Sequence, residues 1–300
     1  MKKVQNIEKT DSNFKDYILF DIETTGLSRT KDFMYMFGIC EKKGNELIYS
    51  QYYIEDESEE KELILKVTEV LNSKKVISYN GDRFDFPFIR KKMEKYNIPQ
   101  NSFENVDIYR QFQKLNFFLD EPSLKAINLG KRLGLDVHDH VNQEEMPKIF
   151  QMYQELKDKE ILSKLIYHNY VDLKVLSYIY EYKKNILDKI LTIKNKNFTG
   201  TIKTIYLQKN NLVTRLTNTE KKNINFHQKN YNITSNSDEI KVELELENGI
   251  IENNTKAKVF KSKYDNKLFK DSKNLNENFI LIIKDKKIIK ENLLFLLNLI

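Results

Sequence analysis

One cysteine, Cys40, stands in a chain of 300 residues, which excludes an internal disulfide and fits a reducing compartment. It lies in the apolar run FMYMFGIC and reads as a small core residue. No apolar stretch approaches the ~20 residues of a membrane span, and the opening MKKVQNIEKT has positive charge with no apolar region behind it. The expectation is a cytoplasmic protein with no membrane partner. No Gly-x-x-x-x-Gly-Lys-Ser/Thr occurs, so an apolar strand that ends in Asp does not read as part of a P-loop ATPase. Proline is scarce. All four, Pro87, Pro99, Pro122 and Pro147, fall in the first half, whereas asparagine thickens after residue 195.

The chain is 40% hydrophobic and 31% charged, an ordinary globular balance that excludes a disordered or fibrous protein. Its length exceeds the ~100–200 residues usual for one domain. The formal charge is +6, and it is unevenly placed: residues 195–300 hold 19 Lys and Arg against 12 Asp and Glu, leaving the first 194 residues at −1. The polar, glycine-ended segment IKNKNFTG marks a boundary. The expected organisation is a tail over 1–14, an α/β domain over 15–193 and a basic β-rich domain over 194–300.

Three short runs rich in aromatic and branched residues, YILFDIETT, FMYMFGICEKK and ELIYSQYYI, predict sequential strands. EEKELILKVTEVL then reads as a helix, VISYN as a strand, FDFPFIRKKMEKY as a helix and ENVDIYR as a strand, the alternation of a parallel sheet. SLKAINLGKRLG, MPKIFQMYQELKD and the long run from KEILSK to KKNIL are helical. The sum is a mixed sheet flanked by helices. Beyond the boundary, EIKVELELE alternates strictly and predicts a half-exposed strand. TIKTIYLQ and FILIIKDKKII predict strands or a hairpin, and ENLLFLLNLI a terminal helix.

The acids carry the chemistry. FDIETTGL places Asp21 and Glu23 two residues apart on one face of a strand. Carboxylates there need a compensating charge, and with no Lys or Arg in the motif a divalent cation supplies it. In VISYNGDRFDFPFI, Asn80 and Gly81 form a turn and Asp85 falls in the first turns of a helix, flanked by Phe84 and Phe86. An acid there also suits the helix dipole, and Asp82 competes with Asp85 for that purely capping role. In IYHNYVDLKVL, His168 and Asp172 are four apart and share a helix face, the pairing of a water-activating group with an acid, or simply an ionic pair. Two Mg2+ or Mn2+ ions need several carboxylate oxygens, one ion serving the attacking water and one the leaving oxygen of a phosphodiester. Asp21, Glu23, Asp85 and Asp172 are the candidate metal ligands.

In order and spacing these motifs resemble the DEDD 3′→5′ exonuclease superfamily, of ribonuclease H-like fold. Asp21 and Glu23 match its Asp-x-Glu, Asn80, Phe84 and Asp85 its Asn-x-x-x-Phe-Asp, and Asp172 its last acid. DIETTGL, YNGDRFDFPFI and HNYVDLKVL are more narrowly similar to the bacterial YprB-like proteins. The resemblance covers about residues 15–180 and implies a two-metal exonuclease acting on single-stranded DNA or RNA. It also implies substrate contacts at Thr24, Thr25, Gly26, Leu27, Asn80 and Phe84. The sequence departs from the pattern at one point: the family carries Tyr four or His five residues before the last Asp, whereas here His168 is four before it and Tyr167 five. His168 is the expected base, with Tyr167 as the alternative.

Three further features belong to the expectation. Asp136, His138, Asp139 and His140 match no zinc spacing and read as a polar loop. Asp107 reads as a supporting or helix-capping acid. Tyr206, Phe226, Tyr231 and Tyr264 lie among lysines in the basic domain, which predicts added affinity for nucleic acid. The competing functions are a catalytically silent nucleic-acid-binding module and a scaffold that docks a partner through ENLLFLLNLI.

Overall fold

The computed structural model describes residues 1–10, 17–100, 102–137, 145–276 and 278–300. Two compact units emerge, Met1–Arg110 with Ser123–Tyr182, and Gln111–Pro122 with Lys183–Ile300.

The first unit is built on a six-stranded sheet in the order β1-β4-β3-β2-β5-β6. The strands are β1 (Lys2–Lys9), β2 (Tyr17–Thr24), β3 (Met34–Lys43), β4 (Glu46–Tyr53), β5 (Lys75–Ser78) and β6 (Asn105–Asp107). β1 to β4 pair antiparallel, while β2, β5 and β6 are parallel. The three predicted sequential strands and the alternating units are all present. Helices α1 (Glu60–Ser73) and α2 (Asp85–Lys95) supply the crossovers, and α3 (Ile108–Leu119) follows β6. After it come α4 (Ala126–Arg132), α5 (Met146–Leu156) and the 24-residue α6 (Lys159–Tyr182). α1 shows why these residues form these elements. Leu63, Ile64, Val67 and Leu71 make one stripe, all at most 1% exposed, and each contributes roughly 1.5–3 kcal/mol by leaving water.

Residues 2–9 correct the expectation of a tail, because β1 pairs with β4 along its whole length. It is an edge strand whose residues are mostly exposed, so main-chain pairing forms it and no burial pattern is written in the side chains. Glu8 ties it down, accepting from Lys174 Nζ at 2.8 Å and from the Tyr170 hydroxyl.

The second unit is a nine-stranded antiparallel sheet among the described residues, with β7 (Thr192–Lys194), β8 (Thr199–Gln208), β9 (Asn211–Thr217), β10 (Asn225–His227) and β11 (Tyr231–Ser235). It continues through β12 (Glu239–Ile251), β13 (Thr255–Lys261), β14 (Phe279–Lys284) and β15 (Lys287–Ile288). A short helix α7 (Asp188–Ile190) precedes it and α8 (Lys290–Leu299) ends it. The alternation of β12 is realised, with Ile240, Val242, Leu244 and Leu246 all buried. In α8, Leu293, Leu296 and Leu297 are fully buried, so these leucines of the segment expected to dock a partner are core, while Phe295 is 41% exposed. The segment 111–122 belongs to this unit and not to the first. Lys290 Nζ donates to Leu119 O at 2.9 Å and lies over the Phe118 ring, and Lys287 pairs with Asp120 at 2.6 Å. Among the described residues no helix is long and apolar enough to cross a membrane.

Candidate active site

β2 runs between β3 and β5, and its period of two brings Asp21 and Glu23 to the same face. Glu23 is 6% exposed, and its Oε1 has no hydrogen-bond partner among the described residues. The β2–β3 register shifts after Glu23, where Glu23 pairs Met36 and Thr24 pairs Met34. Tyr35 is the residue passed over. Its ring is buried and stacked on Phe150 at 4.0 Å, and burial together with the charges of Glu23, Asp21 and Asp172 holds its hydroxyl well above the usual phenol range.

The turn after the acids is closed by Thr25, which donates its N–H to Phe33 O at 3.0 Å and accepts from Phe33 N at 3.0 Å. Thr24 Oγ1 donates to Gly26 O at 2.7 Å. A Cβ at Gly26 would meet the Asp32 carboxylate at 2.5 Å, while Asp32 Oδ2 accepts from Ser28 N at 2.7 Å. Glycine is therefore required here by the turn itself. Leu27, 84% exposed, is free of the core.

Asp85 opens α2, is 5% exposed, and follows a turn in which Asn80 has a φ of 65°. Asp107 holds that turn: its carboxylate accepts from Asn80 N at 3.0 Å, Asp82 N at 3.2 Å and Arg110 N at 3.3 Å. Asp107 thus both caps α3 and shapes the loop. Asp82 is bound by Asn105 Nδ2 at 2.8 Å and Arg110 Nε at 3.1 Å, so it is engaged in holding the loop, whereas the charge of the buried Asp85 bears on Asp21. Phe86 is buried and stacked on Phe20 at 5.8 Å, while Phe84 is half-buried. The buried Oδ1 of Asn80 has no hydrogen-bond partner among the described residues.

α6 brings the third motif. His168, with a fully buried side chain, has Nε2 3.4 Å from Asp172 Oδ2 and 3.9 Å from Glu23 Oε1. Glu23, His168 and Asp172 each offer an atom within 4.8 Å of the others, a spacing that could hold a metal ion. Tyr167, 49% exposed, turns away from this group and packs its ring against Tyr170 at 6.0 Å. The helix also delivers Asn169, which the motif reading passed over. Its Nδ2 donates to Asp21 Oδ2 at 3.0 Å. Asn169 stands one helical turn before Asp172, an i,i+3 spacing that was visible in HNYVD.

The electrostatics unite the three elements. Burial, then the charges of Asp85, Glu23 and Asp172, pushes the Asp21 carboxyl well above its usual range, opposed by the bond from Asn169. Burial and the charge of Asp172 do the same to Glu23. Asp85 is pushed up to about 7, chiefly by burial. Buried carboxylates that raise one another, with an orphaned oxygen on Glu23 and oxygen donors predominating, form a donor set that could hold a hard divalent cation. Of the cluster read from sequence as a polar loop, Asp136 is exposed; His138, Asp139 and His140 lie outside the described residues.

The chain is 26% identical over 183 residues to the PolC-type DNA polymerase III of Mycoplasma pneumoniae, covering 52% of this chain and 12% of the polymerase. It is 29% identical over 100 residues to DNA polymerase 1 of Pyrococcus abyssi, covering 32% and 11%. It thus spans about an eighth of the length of these relatives. Among solved structures, E. coli exonuclease I in complex with a dT13 oligonucleotide aligns over 67% of this chain and 55% of that one, at 11% identity and a TM-score of 0.36. The narrower likeness to YprB-like proteins rests on the sequence motifs alone. A family model of the RNase H superfamily matches residues 18–183, a span that contains all four acids and the whole of α6, and the chain belongs to that superfamily, with the motif order of its DEDD exonucleases.

Proposed function

We propose that the protein is a divalent-metal-dependent exonuclease that removes nucleotides from the 3′ end of single-stranded nucleic acid. The observation that carries the reading is that Glu23 of the strand and His168 and Asp172 of the late helix offer atoms within 4.8 Å of one another, while Asn169 of the same helix binds Asp21, the other acid of the strand; the charge of Asp85, at a helix start, bears on Asp21 as well. Asp21, Glu23, Asp85 and Asp172 would hold two Mg2+ or Mn2+ ions, with Asn169 fixing the orientation of Asp21. When bound, the ions supply positive charge against the oxygens of a phosphodiester. His168 supplies the proton acceptor. A neutral imidazole takes a proton at Nε2 from an attacking water, and Glu23 and Asp172 on either side stabilise the imidazolium that results. Thr24, Thr25, Gly26, Leu27, Asn80 and Phe84 border the acids in sequence and are the proposed contacts to the terminal nucleotide. The polymerase relatives support the class of polymer.

The test compares single-stranded DNA, single-stranded RNA and a recessed duplex, each labelled at the 5′ end, with Mn2+, with Mg2+ and with a chelator. A ladder that shortens from the 3′ end only with metal is expected. Asp21→Asn should abolish it, blunt the rise in melting temperature caused by Mn2+, and leave the metal-free protein no less stable. An Asp21→Asn protein that degrades single strands at the wild-type rate would make the acids structural and leave a silent binding module.

A further inference from the structure

The aromatics expected to meet nucleic acid in the basic domain are mostly engaged in packing. Tyr264 donates its hydroxyl to Leu299 O at 2.7 Å, and Tyr231 packs between Phe226 and Phe260 at 5.7 and 6.3 Å. Apolar surface and lysine meet elsewhere, in a cavity of about 640 Å3 formed wholly by residues of the second unit. That volume lies within the ~300–1,000 Å3 of ligand sites. Leu207, Ile283 and the half-buried ring of Phe117 line it, and Lys256, Lys258 and Lys286 stand around it. The lining contains no carboxylate, and among the described residues none of these lysines is in an ion pair.

The backbone places the charges. Lys256 and Lys258 are two apart on β13 and share a face, and Lys286 sits in the two-residue turn between β14 and β15 with a φ of 66°. Lys258 Nζ donates to Asn248 Oδ1 at 2.6 Å and to Asn210 Oδ1 at 3.0 Å. This holds the side chain of Asn248, which lines the cavity, and that of Asn210, to which Asn248 Nδ2 donates at 3.4 Å, leaving amide groups available to a base edge.

We infer that this cavity is a second nucleic-acid contact, taking a base of a single strand against Phe117, Leu207 and Ile283 and its phosphates on Lys256, Lys258 and Lys286. The inference deepens the proposed exonuclease reading and rests on it for the choice of polymer. A small carboxylate would leave the apolar walls wet, and a hydrocarbon would desolvate three cations. A single strand satisfies both surfaces at once, by the pairing of stacking faces and basic groups that single-strand sites use.

The experiment measures binding by the full-length chain, in a chelator so that nothing is cut, using a fluorescent oligothymidylate of about 12 nucleotides. The triple variant Lys256→Gln, Lys258→Gln, Lys286→Gln should weaken binding about tenfold or more at moderate salt. It should also lower the slope of log affinity against log salt by about 2, three phosphates at ~0.7 each. Phe117→Leu should weaken binding with the slope unchanged. Thermal melts establish that both variants fold. Wild-type affinity and slope in the triple variant overturn the inference. So does binding of an acidic, leucine-rich peptide that the triple variant loses while oligonucleotide binding stays intact. Failure of the exonuclease reading is read separately: a wild-type protein that cuts nothing with Mn2+, yet loses oligonucleotide affinity in the triple variant, leaves this site standing.

Discussion

Asn169 donates from Nδ2 to Asp21 Oδ2 at 3.0 Å, and it reaches there through the space a side chain would need at Gly38. Gly38 pairs with Asp21 across β2 and β3. A Cβ on it would lie 1.9 Å from Asn169 Oδ1 and 2.7 Å from Leu173 Cδ1. The missing side chain of a strand glycine thus sets the orientation of a carboxylate on the neighbouring strand.

Asn169→Ala should therefore lower the rate of 3′-end degradation by roughly 10–100-fold, the usual cost of losing a group that orients a metal ligand. Gly38→Ala should match it, because the new methyl displaces Asn169, and should also cost about 1–3 kcal/mol of stability by overpacking. Rates and urea melts on both proteins check this. Wild-type turnover in Gly38→Ala would show that the close approach is packing alone.

His168→Ala should slow turnover by roughly 10²–10⁴-fold, as loss of a general base does. Tyr167→Phe should stay near the wild-type rate, since its ring is half-exposed and packs against Tyr170. The reverse pattern in single-turnover rates would transfer the role to Tyr167.

The metal-free protein should lose stability as pH rises. Asp21, Glu23 and Asp85 have folded pKa values above their unfolded ones, Asp85 reaching about 7. The folded state then holds more protons between about pH 4 and 7, so these groups favour folding at the acid end and cease to do so as pH climbs through the folded values. Cation binding requires the deprotonated acids, so stabilisation by Mn2+ should grow over the same window. Thermal melts across it, on wild type and Asp85→Asn, with chelator and with Mn2+, isolate the effect. Asp85→Asn should flatten the metal-free decline; an identical pH profile in the two proteins would refute the coupling.

Glu60 should be the costliest surface-distant acid to remove. It is fully buried, accepts from Met34 N at 2.9 Å, and is paired with Lys92 at 3.4 Å and Lys95 at 3.0 Å. Lys92 also donates to Asp32 O, at the end of the turn that follows the acids. Glu60→Ala leaves the buried Lys92 charge without its carboxylate and should cost roughly 3–5 kcal/mol. Lys95→Ala, at a half-exposed position, should cost under ~1 kcal/mol. Chemical denaturation of both variants decides it, and similar small losses would mean that the pair is not holding the turn.

What was legible in the sequence was local. Short apolar runs rich in aromatic and branched residues identified β2, β3 and β4, period-two alternation identified β12, and helical spacing identified α1, α2 and α6, because buried faces leave their mark in the side chains. The motif acids were legible because a carboxylate in an apolar strand or helix start needs a reason. β1 was not, since an edge strand with both faces wet has no apolar period and forms through main-chain pairing to β4. The helix α3 did carry a period, in Ile108, Phe112, Leu115 and Phe118, all buried. Its partition between two units was not in that period: its residues from 111 on fall in the second unit, where Lys290 and Lys287 reach Leu119 and Asp120 from about 170 residues away. The sequence by itself determined which acids stand out in apolar surroundings and which of them share a face. Only the tertiary structure decided that Asn169 meets Asp21, that Gly38 makes room for it, that Asp82 holds the loop while the charge of Asp85 bears on Asp21, and that the lysines of β13 surround an apolar cavity. Those outcomes depend on distances between elements far apart in the chain, which local periodicity does not encode.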